Sequence, residues 1–306
     1  MSKIAFIFPG QGSQYVGMAK DLYDDSEEVR KTYQEAHRIL GYDLAQICFD
    51  GPEEELKQTR ITQPAIFVHS AVLTDFLLKK GLQPAMAAGH SLGEYSALYA
   101  AGVLTFADGL RLVKVRAALM QKAGELKKGT MAAIIGLDNK IVAQICEEAS
   151  TVDVVAVANF NSPVQTVISG SVKGVERAME IAKERGAKRT QPLVVGGAFH
   201  SPLMEYAHDG LGKALAEIEF LSAHCPVYAN VNALPVVEPD MIRRRLHEQL
   251  TSPVCWSETM QNMINDGARD FYEVGPGSVL TGLLRRISRE VKSKPVNSLE
   301  SLDAIE

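Results

Sequence analysis

Closely spaced cysteines are absent from this sequence. Its four, Cys48, Cys146, Cys225 and Cys255, lie far apart, so neither a zinc site nor a redox pair is written in their spacing, and a reducing compartment suits them. A Gly-Lys-Ser/Thr phosphate loop is also missing. The glycine stretch Gly10-Gln11-Gly12 runs on to Gly17 without the third glycine of a dinucleotide fingerprint, which argues against a nucleotide-binding protein. Positive charge is not in excess: the formal net charge is −5, and nonspecific binding to a phosphate backbone needs a cationic face, so no nucleic-acid partner is expected. No apolar run approaches the length needed to cross a bilayer, and Lys3–Phe8 is too short for a signal-peptide core. A cytoplasmic protein with no membrane partner is the expectation.

What is present is an ordinary globular balance, 46% hydrophobic and 23% charged, in 306 residues. That length accommodates one large domain, a smaller one and a cleft. Short runs of Ile, Val, Phe and Ala alternate with longer amphipathic stretches, the pattern of strands joined by helices on a mostly parallel sheet. The fold class is therefore α/β. Helices are expected over residues 26–40, 52–58, 63–80, 92–101 and 106–123, and strands over 4–8 and 86–88. From about Thr130 the rhythm changes to strand 131–136, helix 140–149, strands 154–158 and 166–169, helix 172–185 and strand 193–195. That order, βαββαβ, is the signature of a ferredoxin-like unit. A subdomain over 128–196, inserted between 1–127 and 197–306 of the large domain, follows.

Gly89-His90-Ser91-Leu92-Gly93 fits the Gly-x-Ser-x-Gly elbow, in which a tight strand-to-helix turn projects a serine oxygen into a cleft. Small residues, Ala87 and Ala88, precede the turn and a helical pattern follows it. Ser91 thus stands at a helix start, where free N–H groups favour an oxyanion; the plainer reading is an N-cap. A serine nucleophile needs a base. Of seven histidines, His200 stands first because it follows a strand and the pair Gly196-Gly197 and precedes a new helix, but spacing alone does not exclude the other six. On the helix over 106–123, Arg116 has only apolar same-face neighbours, among them Leu112, Val113 and Met120. A guanidinium there needs an anionic partner, either an internal Asp or Glu or a substrate carboxylate.

Several motifs then coincide in order and spacing: FPGQGSQ at 8–14, TQPA at 62–65, GHSLGEYSAL at 89–98, NFNSP at 159–163, GAFHSPLM at 197–204, QLTSPVCW at 249–256 and EVGPG at 273–277. Together they resemble the malonyl-CoA:acyl carrier protein transacylase family over nearly the whole chain. The resemblance implies a hydrolase-like, mostly parallel sheet domain with an inserted ferredoxin-like subdomain. It implies Ser91 as nucleophile, His200 as general base and acid, and Arg116 as clamp for the malonyl carboxylate. The Gln11 and Leu92 amides would form the oxyanion hole, and the main-chain carbonyl near Gln249 would orient His200 in place of an acidic third member. Ala198-Phe199-His200 follows the malonyl rather than the methylmalonyl form of related polyketide enzymes, which makes Phe199 a substrate-binding residue, although Gly197 departs from the more familiar polar residue. Malonyl-CoA and acyl carrier protein are the implied partners, with no metal and no cofactor, since the coenzyme A thioester is a substrate. A monomer is expected. Acidic carrier protein would dock on Lys183, Arg185, Lys188 and Arg189. A serine esterase or thioesterase and a trans-acting polyketide acyltransferase are the competing readings. A hydrolase of that kind places its histidine near the chain end, whereas about a hundred residues follow His200.

Overall fold

The computed structural model describes residues 3–305. Among the described residues ten strands form two sheets: β1 (Lys3–Phe8), β2 (Met86–Gly89), β3 (Thr130–Ile135), β4 (Val155–Ser162), β5 (Gln165–Gly170), β6 (Arg189–Leu193), β7 (Val227–Tyr228), β8 (Pro235–Val236), β9 (Ala268–Val274) and β10 (Lys292–Val296). The larger sheet has the order β10-β9-β1-β2-β7-β8 and is parallel except for the terminal β7–β8 pair. Its centre is β1, whose last four residues are all buried, as a strand covered on both faces requires. Alternation along it divides the interior. Phe6 and Phe8 enter the core beneath the helices Thr59–Lys79 and Phe106–Leu126, while Ala5 and Ile7 enter the core beneath Trp256–Asn265 and Val279–Ile287.

The helix Thr59–Lys79 is 21 residues long and, by length and composition, could cross a membrane, which the sequence reading did not anticipate. In this fold it is a core helix, buried along most of its length. Pro64, its sixth residue, removes the donor that would bond Arg60 O, and Tyr42 Oη donates to that carbonyl instead (3.2 Å).

The second sheet, β4-β5-β3-β6, is antiparallel, with the helices Asn139–Ala149 and Val172–Glu184 packed on one face. Period-2 alternation gives it two destinations: Ala132 and Ile134 of β3 face those helices, and Met131 and Ala133 face the main core. The sheets are joined by backbone. Phe160 N donates to Val254 O (2.9 Å) and Val254 N to Ala158 O (2.8 Å), which ties β4 to the segment entering the helix Trp256–Asn265.

Sequence and structure part at the poorly patterned elements. The strand expected at 193–195 lies at Arg189–Leu193, an edge strand of mostly polar residues with Pro192 in it, so apolar content misplaces it. The two-residue strands β7 and β8, the Lys- and Pro-bearing β10, and the helices Leu44–Asp50 and Trp256–Asn265 were not anticipated.

Candidate active site

Phe8 pairs with Gly89 in register, so the loops leaving β1 and β2 emerge side by side at the carboxyl edge of the parallel sheet, where such sheets bind ligands. Ser91 occupies the turn between β2 and the helix Gly93–Ala100 with φ 52°, a left-handed conformation that a serine adopts only when its surroundings impose it. The flanking glycines are imposed by space. A Cβ on Gly89 would meet Gly93 C at 1.8 Å, and one on Gly93 would meet Phe8 O at 2.1 Å. Asn230, just beyond β7, locks the turn from the other side: its Oδ1 accepts from Ser91 N (2.7 Å) and its Nδ2 donates to Gly89 O (2.7 Å).

His200 also has positive φ, 56°, and its Nε2 lies 2.7 Å from Ser91 Oγ. Its Nδ1 faces two main-chain carbonyls, Gln249 O at 2.9 Å and Ser252 O at 3.1 Å. Two acceptors require the proton on Nδ1, so Nε2 presents a lone pair to the serine hydroxyl. Burial and then the neighbouring Arg116 charge lower the imidazole to about 3. The ring is thus neutral and able to accept a proton throughout the physiological range. The loop carrying it is drawn inward by a close backbone contact, since a Cβ on Gly124 of the helix Phe106–Leu126 would meet Gly196 O at 2.1 Å.

Arg116 is 1% exposed. Its Nη2 donates to Ser91 Oγ (3.0 Å) and Gln249 Oε1 (2.9 Å), and its Nη1 to Gln63 Oε1 (2.7 Å). No carboxylate among the described residues lies within ion-pair distance of it. Of the two partners left open by the sequence, the internal acid in direct contact is absent. Gln249 extends further: its Nε2 donates to Glu94 Oε2 (2.7 Å) and to Ser91 O (3.0 Å). Glu94, 2% exposed, also accepts from Asn230 N (3.1 Å). Burial raises its carboxyl to about 7 against the opposing pull of Gln249, Asn230 and Arg116.

A cavity of about 110 Å³ opens beside these groups, lined by Gln11, Leu92, Phe199, Met131, Asn159 and Leu193 among others. The last three come from the second sheet and the first three from the main fold, so both walls meet over Ser91. Several amides around the turn are already engaged: Ser91 N by Asn230, Gly93 N by His90 O, and Gly12 N by Gln14 Oε1. Gln11 and Leu92, whose amides the resemblance assigns to an oxyanion, both line the cavity. His90 lines the cavity too, but its Nε2 is 2.9 Å from Asn161 Oδ1, its ring packs on Trp256, and it makes no bond to Ser91. The other histidines lie elsewhere. His69 is buried in the helix Thr59–Lys79, and His208 and His247 stack on each other. Larger hollows occur on the surface, one of about 700 Å³ by Arg38 and Arg111, whose lining holds no serine, cysteine or histidine. Among the described residues no group of three or more His, Cys, Asp or Glu is placed to hold a metal.

The structure thus brings together Ser91, His200, Arg116, Gln249, Gln11, Leu92 and Phe199. Sequence reasoning missed Gln63, Asn230, Glu94, and the side chain of Gln249, of which only the carbonyl was anticipated. The signal for Glu94 was an acid in the otherwise small and apolar stretch 93–101, and Gln63 lay inside a quoted motif; Asn230 carried none.

An α/β fold with a serine elbow, a carbonyl-oriented histidine and a buried arginine over one cavity is the architecture of an acyl-transfer enzyme. The acyl transferase domain family matches residues 5–302, and the chain belongs to that family and is an acyltransferase. It is 46% identical over 305 residues to the malonyl CoA-acyl carrier protein transacylase of Escherichia coli (strain K12), covering 99% of each, and 42% identical over 304 residues to that of Bacillus subtilis (strain 168), covering 99% of this chain and 96% of the relative. Among solved structures it superposes on an acyl carrier protein S-malonyltransferase from Vibrio cholerae with TM-score 0.96, 46% identity and full coverage of both chains. A malonyl-transacylase solved in complex with its type II PKS acyl-carrier protein gives TM-score 0.95 at 43% identity, covering 99% of this chain and 98% of that one.

Proposed function

We propose that the enzyme transfers a malonyl group from coenzyme A to the phosphopantetheine thiol of acyl carrier protein, the step that supplies malonyl units for fatty-acid synthesis. The observation that carries the acyl specificity is the 3.0 Å contact between Arg116 Nη2 and Ser91 Oγ. A guanidinium that close to the nucleophile meets a carboxylate one methylene from the reacting carbonyl, as in malonyl, and not one at the end of a longer diacid. The names of the relatives support the same donor and acceptor.

His200 Nε2 takes the Ser91 proton as Oγ attacks the thioester carbonyl, and the oxyanion is received by the Gln11 and Leu92 amides. The C–S bond breaks, and His200 returns the proton to the departing coenzyme A thiolate. The carrier thiol then gives its proton to His200, its sulfur attacks the acyl-serine ester, and Ser91 recovers its hydroxyl as the C–O bond breaks. Every proton is shuttled by one imidazole, so the chemistry calls for no metal and no cofactor. The wall formed by Met131 and Leu193 keeps the ester away from water, which favours transfer over hydrolysis.

Incubation with malonyl-CoA followed by intact-protein mass measurement is expected to show a single malonyl adduct that Ser91→Ala lacks. An adduct surviving in Ser91→Ala reassigns the nucleophile.

A further inference from the structure

A buried guanidinium is ordinarily neutralised by a carboxylate in contact with it. Here the nearest ligands of Arg116 are neutral amide oxygens, Gln63 Oε1 and Gln249 Oε1. A buried carboxylate is nevertheless present one residue further on. Gln249 stands between the charges, oxygen toward Arg116 (2.9 Å) and nitrogen toward Glu94 (2.7 Å). The reverse orientation of the amide would set its NH₂ against the guanidinium and its oxygen against the carboxylate, so the pair of charges dictates the orientation. Two N–H donors, Gln249 Nε2 and Asn230 N, converge on Glu94 Oε2, which is how a buried carboxylate is held as an acceptor.

We propose that Glu94 is the displaced counter-ion of Arg116, and that Gln249, by holding the two charges one amide apart, keeps the guanidinium free to receive a carboxylate-bearing acyl group. A carboxylate at 249 would saturate the guanidinium itself and repel a second anion. With no counter-ion at all, a permanently charged group would be left unbalanced in the interior. The observed spacing avoids both. Gln249 is on this account the positioning residue that sets specificity and Glu94 the group that balances the buried charge, and the inference rests on Arg116 being the carboxylate clamp.

The test exchanges the two groups. Glu94→Gln together with Gln249→Glu conserves net charge but moves the carboxylate into contact with Arg116. Transfer to carrier protein is measured with malonyl-CoA and with acetyl-CoA at pH 8, and the ratio of the two kcat/KM values is the readout, with melting temperature as the folding control. In the exchanged enzyme the ratio is expected to fall by about 100-fold, as for a specific polar contact withdrawn from a substrate group, while acetyl transfer changes by only a few-fold. A ratio within about threefold of the parent, where Arg116→Ala lowers it by the full amount, overturns the proposal. A ratio that Arg116→Ala itself leaves intact overturns instead the clamp on which the proposal stands. Glu94→Gln alone gives an independent check, because its amide oxygen can still accept from both donors. It is expected to lower the melting temperature and keep the ratio; a loss of ratio equal to that of Arg116→Ala overturns the proposal.

Discussion

The two sheets meet at one cavity but contribute to it differently. The parallel sheet and the loops packed on it fix the reacting groups by backbone: Ser91 and His200 both sit at positive φ, Ser91 in the turn directly after β2 with its amide held by Asn230, and His200 in the loop after β6 with its ring held by the Gln249 and Ser252 carbonyls. The antiparallel sheet supplies side chains from the face turned away from its own helices, Met131, Asn159 and Leu193. Reacting atoms thus rest on the more constrained scaffold and shape rests on the other, so substitutions in the two regions should fail in different ways.

The largest effect belongs to the first region. His200→Ala removes the proton acceptor 2.7 Å from Ser91 Oγ and is expected to slow acyl-serine formation by roughly 10³-fold or more in rapid-quench measurements, with little change in the affinity for malonyl-CoA. Arg116→Ala is expected to lower kcat/KM for malonyl-CoA by about 10²-fold or more and to leave acetyl-CoA transfer less affected; equal losses with both donors would make the arginine structural. The pH dependence follows from His200 being lowered to about 3. Its neutral form is the favoured one, so acylation should not drop tenfold per pH unit below 6.5. Single-turnover rates between pH 5 and 8 check this, and a descending limb at 6.5 that disappears in His200→Ala would assign the imidazole an ordinary value.

The smallest effect is expected in the second region. Lys183, Arg185, Lys188 and Arg189 are all exposed, and Arg185 is already paired with Glu148. Arg189 opens β6, the strand whose last residue, Leu193, lines the cavity, so this end of the sheet lies roughly 13 Å from the site at the usual rise per residue. Charge reversal of Lys188 and Arg189 is expected to raise KM for acidic carrier protein a few-fold at low salt and to leave KM for malonyl-CoA unchanged. Unchanged carrier KM at low salt would move the docking surface elsewhere.

Much of the main fold was legible because its elements obey one period each. The apolar run of β1, the helix carrying Arg116 and the elbow glycines each have a single physical explanation that survives folding. The same held for the order of the second sheet, but not for the position of β6, whose polar sequence reflects an edge. In the site, the anticipated residues were those whose type announces chemistry: a serine between glycines, a histidine in a loop, an arginine on an apolar stripe. The neutral amides Gln63, Asn230 and Gln249 announce nothing by type, because an amide takes its role from what surrounds it. Only the fold brings 63, 116 and 249 to one point.

The backbone bonds between β4 and Val254 have a mechanical consequence. Val254 lies two residues beyond Ser252, one of the two carbonyls that aim the His200 imidazole. Swinging the smaller sheet outward would pull on the strap that orients the base. The wall of the entrance and the aim of the base therefore depend on one short stretch of chain, 252–254.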